Sequence, residues 1–312
     1  MDRLNSCKEF GAILAERLVF KSVTLQNDEK AVDCNDSLTQ KGTEILVWRP
    51  VHPRHAIERA RIIVVFKGHL PEKFLRKLAP TFEARRLELG FNSMNWREGQ
   101  FFKIGDPDVS VNSGSAQLFG WDWQNLSAGK TPIETLVLEN RSLIYETVDY
   151  TRWTEFSARF EDVALPILEE VLGLVDISNL VLEYVDRFVF DGNATDARAN
   201  GVLNDEFVGL PDAARSGPAA WHSHLGWFEE IEGHSLLINQ NIDAQDGRFL
   251  HVDGPVVRSL QVYTKTDLRP QKYENGYKGL RSSMNEMHVK SKKLVYDILT
   301  PEMRKSIGME GS

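Results

Sequence analysis

Leu180-Val181-Leu182-Glu183-Tyr184-Val185-Asp186-Arg187-Phe188-Val189-Phe190 is a run of aliphatic, β-branched and aromatic residues interrupted by three charges. It reads as one long strand. Side chains of a strand alternate between its faces. Alternation therefore puts Asp186 with Leu182, Tyr184 and Phe188, and Glu183 with Arg187. A carboxylate among large apolar neighbours must pair, shift its pKa or mark a site. Asp186 and Arg187 are thus candidate ligand-binding residues. An ion pair or a charge at the sheet rim is the plainer account, and a bulge would turn the carboxylate outward.

Before this strand stands the strongest amphipathic pattern in the chain. Trp153, Phe156, Phe160, Val163, Ile167 and Val171 recur at steps of three and four, which predicts a helix over 151–172. Asp149 or Thr151 is placed to cap its start and Gly173 to close it. Upstream, strands are expected over 117–123, 134–139 and 142–148, the last two joined by Asn140-Arg141 as a tight hairpin. Residues 90–115 read as loop. Arg61-Ile62-Ile63-Val64-Val65-Phe66 is almost continuously apolar, so a strand covered on both faces is expected, followed by a helix opening at Leu70-Pro71.

Past the long strand, 191–220 are rich in Gly, Asn, Asp, Ala and Pro and read as a long irregular loop. Three more strands follow, over 221–230, 235–244 and 249–266, with Asp246-Gly247 as the turn between the second and third. A helix over 280–299 closes the chain. Meander followed by amphipathic helix thus occurs twice. The expected fold is α+β: antiparallel sheets with long amphipathic helices on one face, in an order that allows two meander-then-helix halves. The expected organisation is an N-terminal appendage (1–44), a first half (45–175) and a second half (176–312).

Net charge is −8, opposite to the basic excess that nucleic-acid binders use against phosphate. Lys290, Lys292, Lys293, Arg304 and Lys305 form the one basic cluster, so a nucleic-acid partner is not expected. The two cysteines, Cys7 and Cys34, are too few for a disulfide framework. No apolar run reaches membrane-spanning length and no leader is visible, so a soluble cytoplasmic protein is expected.

His222 and His224 lie two apart on an expected strand and share a face, with Glu230 further along the same alternation. Trp221 lies on the other face with Ser223 and Leu225. Trp221, His222 and His224 complete the candidate ligand-binding set. A metal would need a third ligand that spacing does not supply, so no metal is expected, and Asp243, Asp246 and Asp253 read as turn residues. Trp121 and Trp123 share a face and read as core. No phosphate-binding glycine loop and no GxSxG elbow is present, so no catalytic residue and no cofactor is assigned.

Four segments carry a resemblance: Pro53 to Glu58 leading to the Ile62 strand; Leu143-Ile144-Tyr145-Glu146 with Tyr150-Thr151-Arg152-Trp153-Thr154-Glu155-Phe156; Leu182 to Phe188; and the closing helix with His288 and Leu299-Thr300-Pro301-Glu302. They resemble an uncharacterised, sporadically distributed prokaryotic protein family. At the third segment that family shows Arg before the Tyr and Asn after it, where this chain has Glu183 and Asp186. The resemblance implies an accessory component, of defence or toxin–antitoxin type, and transfers no activity. The expected function is accordingly a non-catalytic protein-binding component with a protein partner. The alternative is a small-molecule or nucleotide binder, with weak enzymatic activity as its extreme form.

Overall fold

The computed structural model describes residues 47–99, 117–207, 209–247, 256–269 and 277–309. The expected appendage, both cysteines and Asp253 lie outside them. In chain order the elements are β1 (Val47–Pro50), β2 (Ile57–Phe66), α1 (Glu72–Thr81), α2 (Glu83–Glu88), β3 (Ser93–Gly99), β4 (Gln117–Leu126), β5 (Pro132–Glu139), β6 (Ser142–Thr147), α3 (Trp153–Leu172) and β7 (Ile177–Asp191). Then come α4 (Asp212–Ser216), β8 (Trp221–Ile231), β9 (His234–Gly247), β10 (Val257–Arg269), α5 (Tyr277–Ile298) and α6 (Pro301–Ser306).

The strands form one ten-stranded sheet in the order β3-β4-β5-β6-β2-β7-β10-β9-β8, with β1 beside β7 in line with β2. Its ladders are antiparallel. This corrects the α+β expectation of separate sheets governed by long helices. The fold is mostly antiparallel strand, and the helices are subordinate to a single sheet. The reason is the β2–β7 ladder, Ala60 opposite Tyr184 through Val65 opposite Asn179, which fuses the two meanders. That pairing joins residues far apart in sequence, and local periodicity carries no trace of it.

Position in the sheet explains burial. β7 has neighbours on both sides, and it is buried on both faces from Leu180 to Phe190. β2 departs from expectation: its residues alternate between buried and half-buried, so only one face meets the core. A strand also occupies part of the expected loop, since β3 pairs with β4. Asp246 and Gly247 remain in the β9–β10 ladder, opposite Arg258 and Val257, and are not the turn. α3 buries Phe156, Phe160, Val163, Ile167 and Val171 as its periodicity predicts. Neither Asp149 nor Thr151 caps it: Arg152 holds the cap position in extended conformation, and the Thr151 hydroxyl instead donates to Glu155.

Two apolar clusters lie on the helix-bearing face. The first joins Ile62, Trp121, Trp123 and Leu136 to Phe160 of α3 and Met287 of α5. The second joins Phe188, Ile242 and Leu260 to Val295 and Ile298 of α5 and to Leu203 and Leu210. The latter two belong to the 191–220 segment, which is therefore packed core in part. Trp48 donates from Nε1 to the Arg198 carbonyl at 2.8 Å, and a Cβ on Gly201 would come within 2.6 Å of the same indole.

Candidate functional site

Between the two apolar clusters runs a band of polar side chains. The ladder register builds it: Gln240 lies opposite Thr264, Thr264 opposite Tyr184, and Asp186 two residues further on the same face of β7. α5 covers it with Ser291 and His288, whose Nδ1 is 3.0 Å from the Tyr184 hydroxyl. Trp153 of α3 stacks flat on His288 at 4.5 Å, and its Nε1 donates to Asn285 at 2.8 Å. Tyr150 closes the band at the other side, edge-on to Tyr184 at 5.9 Å and to His55 at 5.8 Å.

The band is not self-satisfied. Thr264 is fully buried and Gln240 is 2% exposed, yet Thr264 Oγ1 and Gln240 Nε2 have no hydrogen-bond partner among the described residues. Asp186 is 3% exposed. No hydrogen bond or ion pair to it is found among the described residues, and burial alone pushes its carboxyl up to about 7. Burial, then Lys292, lowers His288 to about 4, so that imidazole is neutral at physiological pH. Burial, then neighbouring His52, also lowers His55. Burial raises both phenols, with Asp186 adding to the effect at Tyr150 and at Tyr184. Buried polar groups are ordinarily paired. Several unpaired ones in one band, beside perturbed titratable groups, make the band the candidate site.

A cleft of about 270 Å³ opens on the outer side of Tyr150. It lies under the first turns of α3, where β6 ends and β5 begins. Its floor is Tyr145, whose hydroxyl donates to Glu134 at 2.8 Å. Arg159 grips the same carboxylate through Nε at 2.7 Å and Nη2 at 2.9 Å. Asp149 stands exposed at the mouth. Tyr150 lines the cleft and contacts the band, so it is the partition between them.

The residues singled out from sequence are not gathered into one site. Asp186 belongs to the band. Arg187 points to the opposite face of β7, where Nε binds Glu58 at 2.8 Å, Nη1 binds Ser259 at 3.1 Å and Nη2 binds Gln261 at 2.7 Å. A register shift between Ile57 and Arg59 lets Glu58 reach it. Trp221, His222 and His224 sit on β8, three lanes from β7 and so about 14 Å away across the sheet. His222 and His224 are exposed on the face away from the helices, His222 against Asp243, while Trp221 packs on the second apolar cluster. Among the described residues no group of three or more His, Cys, Asp or Glu could hold a metal ion.

Tyr150, Thr264, Gln240 and His55 escaped the sequence reading as site residues. Each is unremarkable in its own segment, and only the register brings them together. The basic cluster is largely engaged: Lys290 pairs with Glu229 at 2.5 Å, Lys293 with Asp297 at 2.9 Å, and Arg304 lies over the Tyr296 ring at 4.1 Å. Among the described residues no helix is long and apolar enough to cross a membrane.

No protein-family model matches the chain, and the search of curated proteins found no match.

Proposed function

We propose that this chain is a small-molecule-binding protein whose ligand occupies the cleft under α3 and is sensed through Tyr150 by the polar band. The observation that carries this is the buried Asp186 carboxyl, without a partner among the described residues, in a band with two further polar atoms likewise unsatisfied among them, one residue thickness behind an open cleft. Pockets with a few convergent polar groups and shifted pKa values are where ligands bind. Tyrosine supplies the test, because the chain has seven of them. With 3-fluorotyrosine incorporated, ¹⁹F signals of Tyr145 and Tyr150 are assigned by Tyr→Phe variants. A panel of small amines, alcohols, carboxylic acids and nucleosides should contain members that move both signals and leave Tyr263 and Tyr296 still. A panel that moves neither overturns the proposal.

A protein partner is the second reading, and β8 favours it. This eleven-residue strand ends the sheet with one ladder only among the described residues, and its Phe228 is 64% exposed. Open edges accept an extended segment of a partner by strand addition. The resemblance noted above, with its accessory-system association, points the same way. A stoichiometric partner that co-purifies with the chain and is lost on Phe228→Asp would support this reading. A partner retained by that variant would remove β8 from it.

A further inference from the structure

The polar band also defines which chemical class it would accept. Among the described residues, Asp186 lies opposite Ile57 of β2 and Val262 of β10 in the ladders, acts on Tyr150 of the β6–α3 connection and on Tyr184 of its own strand, and has His288 of α5 beyond Tyr184. No arginine or lysine is among them. Further along the band, Asp149 and His52 act on His55, and Lys292 acts on His288. A buried carboxylate without a counter-charge is costly, and the cost disappears when a cation pairs with it. Two phenol rings stand edge-to-face beside it, and aromatic faces attract cations. Thr264 Oγ1, buried and unpartnered on the adjacent strand, is free to accept a further N–H.

We propose that the Asp186–Tyr150–Tyr184–Thr264 end of the band is a binding site for a protonated primary amine, reached from the α3 cleft when the Tyr150 side chain swings aside. This assignment rests on the cleft being a ligand site. The ammonium donates to the Asp186 carboxylate and to Thr264 Oγ1, and its alkyl stem lies along the rings of Tyr150 and Tyr184. Entry through Tyr150 also accounts for the acidic mouth, since Asp149 attracts the same charge that Asp186 receives.

The test uses the full chain, with ethylammonium chloride as probe and ethanol and acetate as isosteres of similar size. The Asp186 carboxyl ¹³C signal, assigned by Asp186→Asn, is titrated with and without each probe. Ethylammonium should displace the titration of that carboxyl to lower pH by enough to signify at least about tenfold preference for the ionised form, because an opposite charge at contact favours ionisation. Ethanol and acetate should leave it in place. Affinity for ethylammonium, read from the Tyr150 ¹⁹F signal, should fall about tenfold or more in Asp186→Asn. If the asparagine variant fails to fold, Asp186→Glu assigns the signal instead and the wild-type carboxyl titration decides. An unmoved carboxyl titration, or equal shifts from ethanol, overturns the amine site. Cleft signals that respond to neutral compounds while ethylammonium does nothing would overturn this inference and leave the cleft proposal standing. Silence from every probe at both Tyr145 and Tyr150 would end both.

Discussion

The Tyr184 hydroxyl and His288 Nδ1, 3.0 Å apart, join the central strand β7 to helix α5 across the polar band. The phenol that meets the imidazole lowered to about 4 (His288) also feels the carboxyl raised to about 7 (Asp186). Both groups are therefore neutral in the folded chain over an interval where both are charged in the unfolded chain.

Linkage turns these two shifts into a pH dependence of stability. Unfolded Asp titrates near 3.9 and unfolded His near 6.5. The raised Asp186 contributes stability that is fully present below about 3.9 and lost as pH rises through about 7. The lowered His288 contributes stability that is present above about 6.5 and lost as pH falls through about 4. In the shared window the two slopes oppose, so these groups leave the wild type nearly flat there. Asp186→Asn should expose the histidine slope, with stability rising by about 2–4 kcal/mol from pH 4 to 6.5. His288→Gln should expose the opposite slope. Urea midpoints across pH read both, and two parallel profiles would refute the pairing.

Tyr184→Phe removes the hydroxyl and keeps the ring. A single hydrogen bond of this kind contributes about 1 kcal/mol, so the loss should be of that size. The ¹⁵N signals of the His288 imidazole should shift toward a mixed tautomer. An unchanged imidazole spectrum would mean the contact does not set the tautomer.

Glu134 accepts from both Tyr145 and Arg159 under α3. Glu134→Ala strips both donors of their acceptor at once. With the Arg159 side chain 31% exposed, solvent recovers part of the loss, and a destabilisation of about 1–3 kcal/mol is expected. Tyr145→Phe should cost less, about 1 kcal/mol. Thermal unfolding ranks the two.

Gly120 sits where β4 meets β5, and a Cβ there would lie 2.3 Å from the Leu138 carbonyl oxygen. Backbone cannot step aside as a flexible side chain can. Gly120→Ala should therefore cost about 2 kcal/mol or more. Phe228→Ala on the exposed edge strand should stay within about 0.5 kcal/mol of wild type. Chemical denaturation of the two variants side by side checks both, and equal midpoints would contradict the placement.

The periodicity of Phe156, Phe160, Val163, Ile167 and Val171 determined α3, because a helix face is written in residues three and four apart. The alternation around Asp186 likewise determined that its carboxyl shares a face with Leu182, Tyr184 and Phe188. Those are local properties, and the sequence by itself carried them. Whether that carboxyl had a partner was decided elsewhere. It depended on which strands flank β7 and in what register, and the answer comes from Ile57, Val262 and Thr264, which no spacing rule connects to it. The same holds for the single sheet. Each meander is legible on its own, but the β2–β7 ladder that makes them one is a long-range pairing whose specificity lies in packing, and only the tertiary structure could decide it.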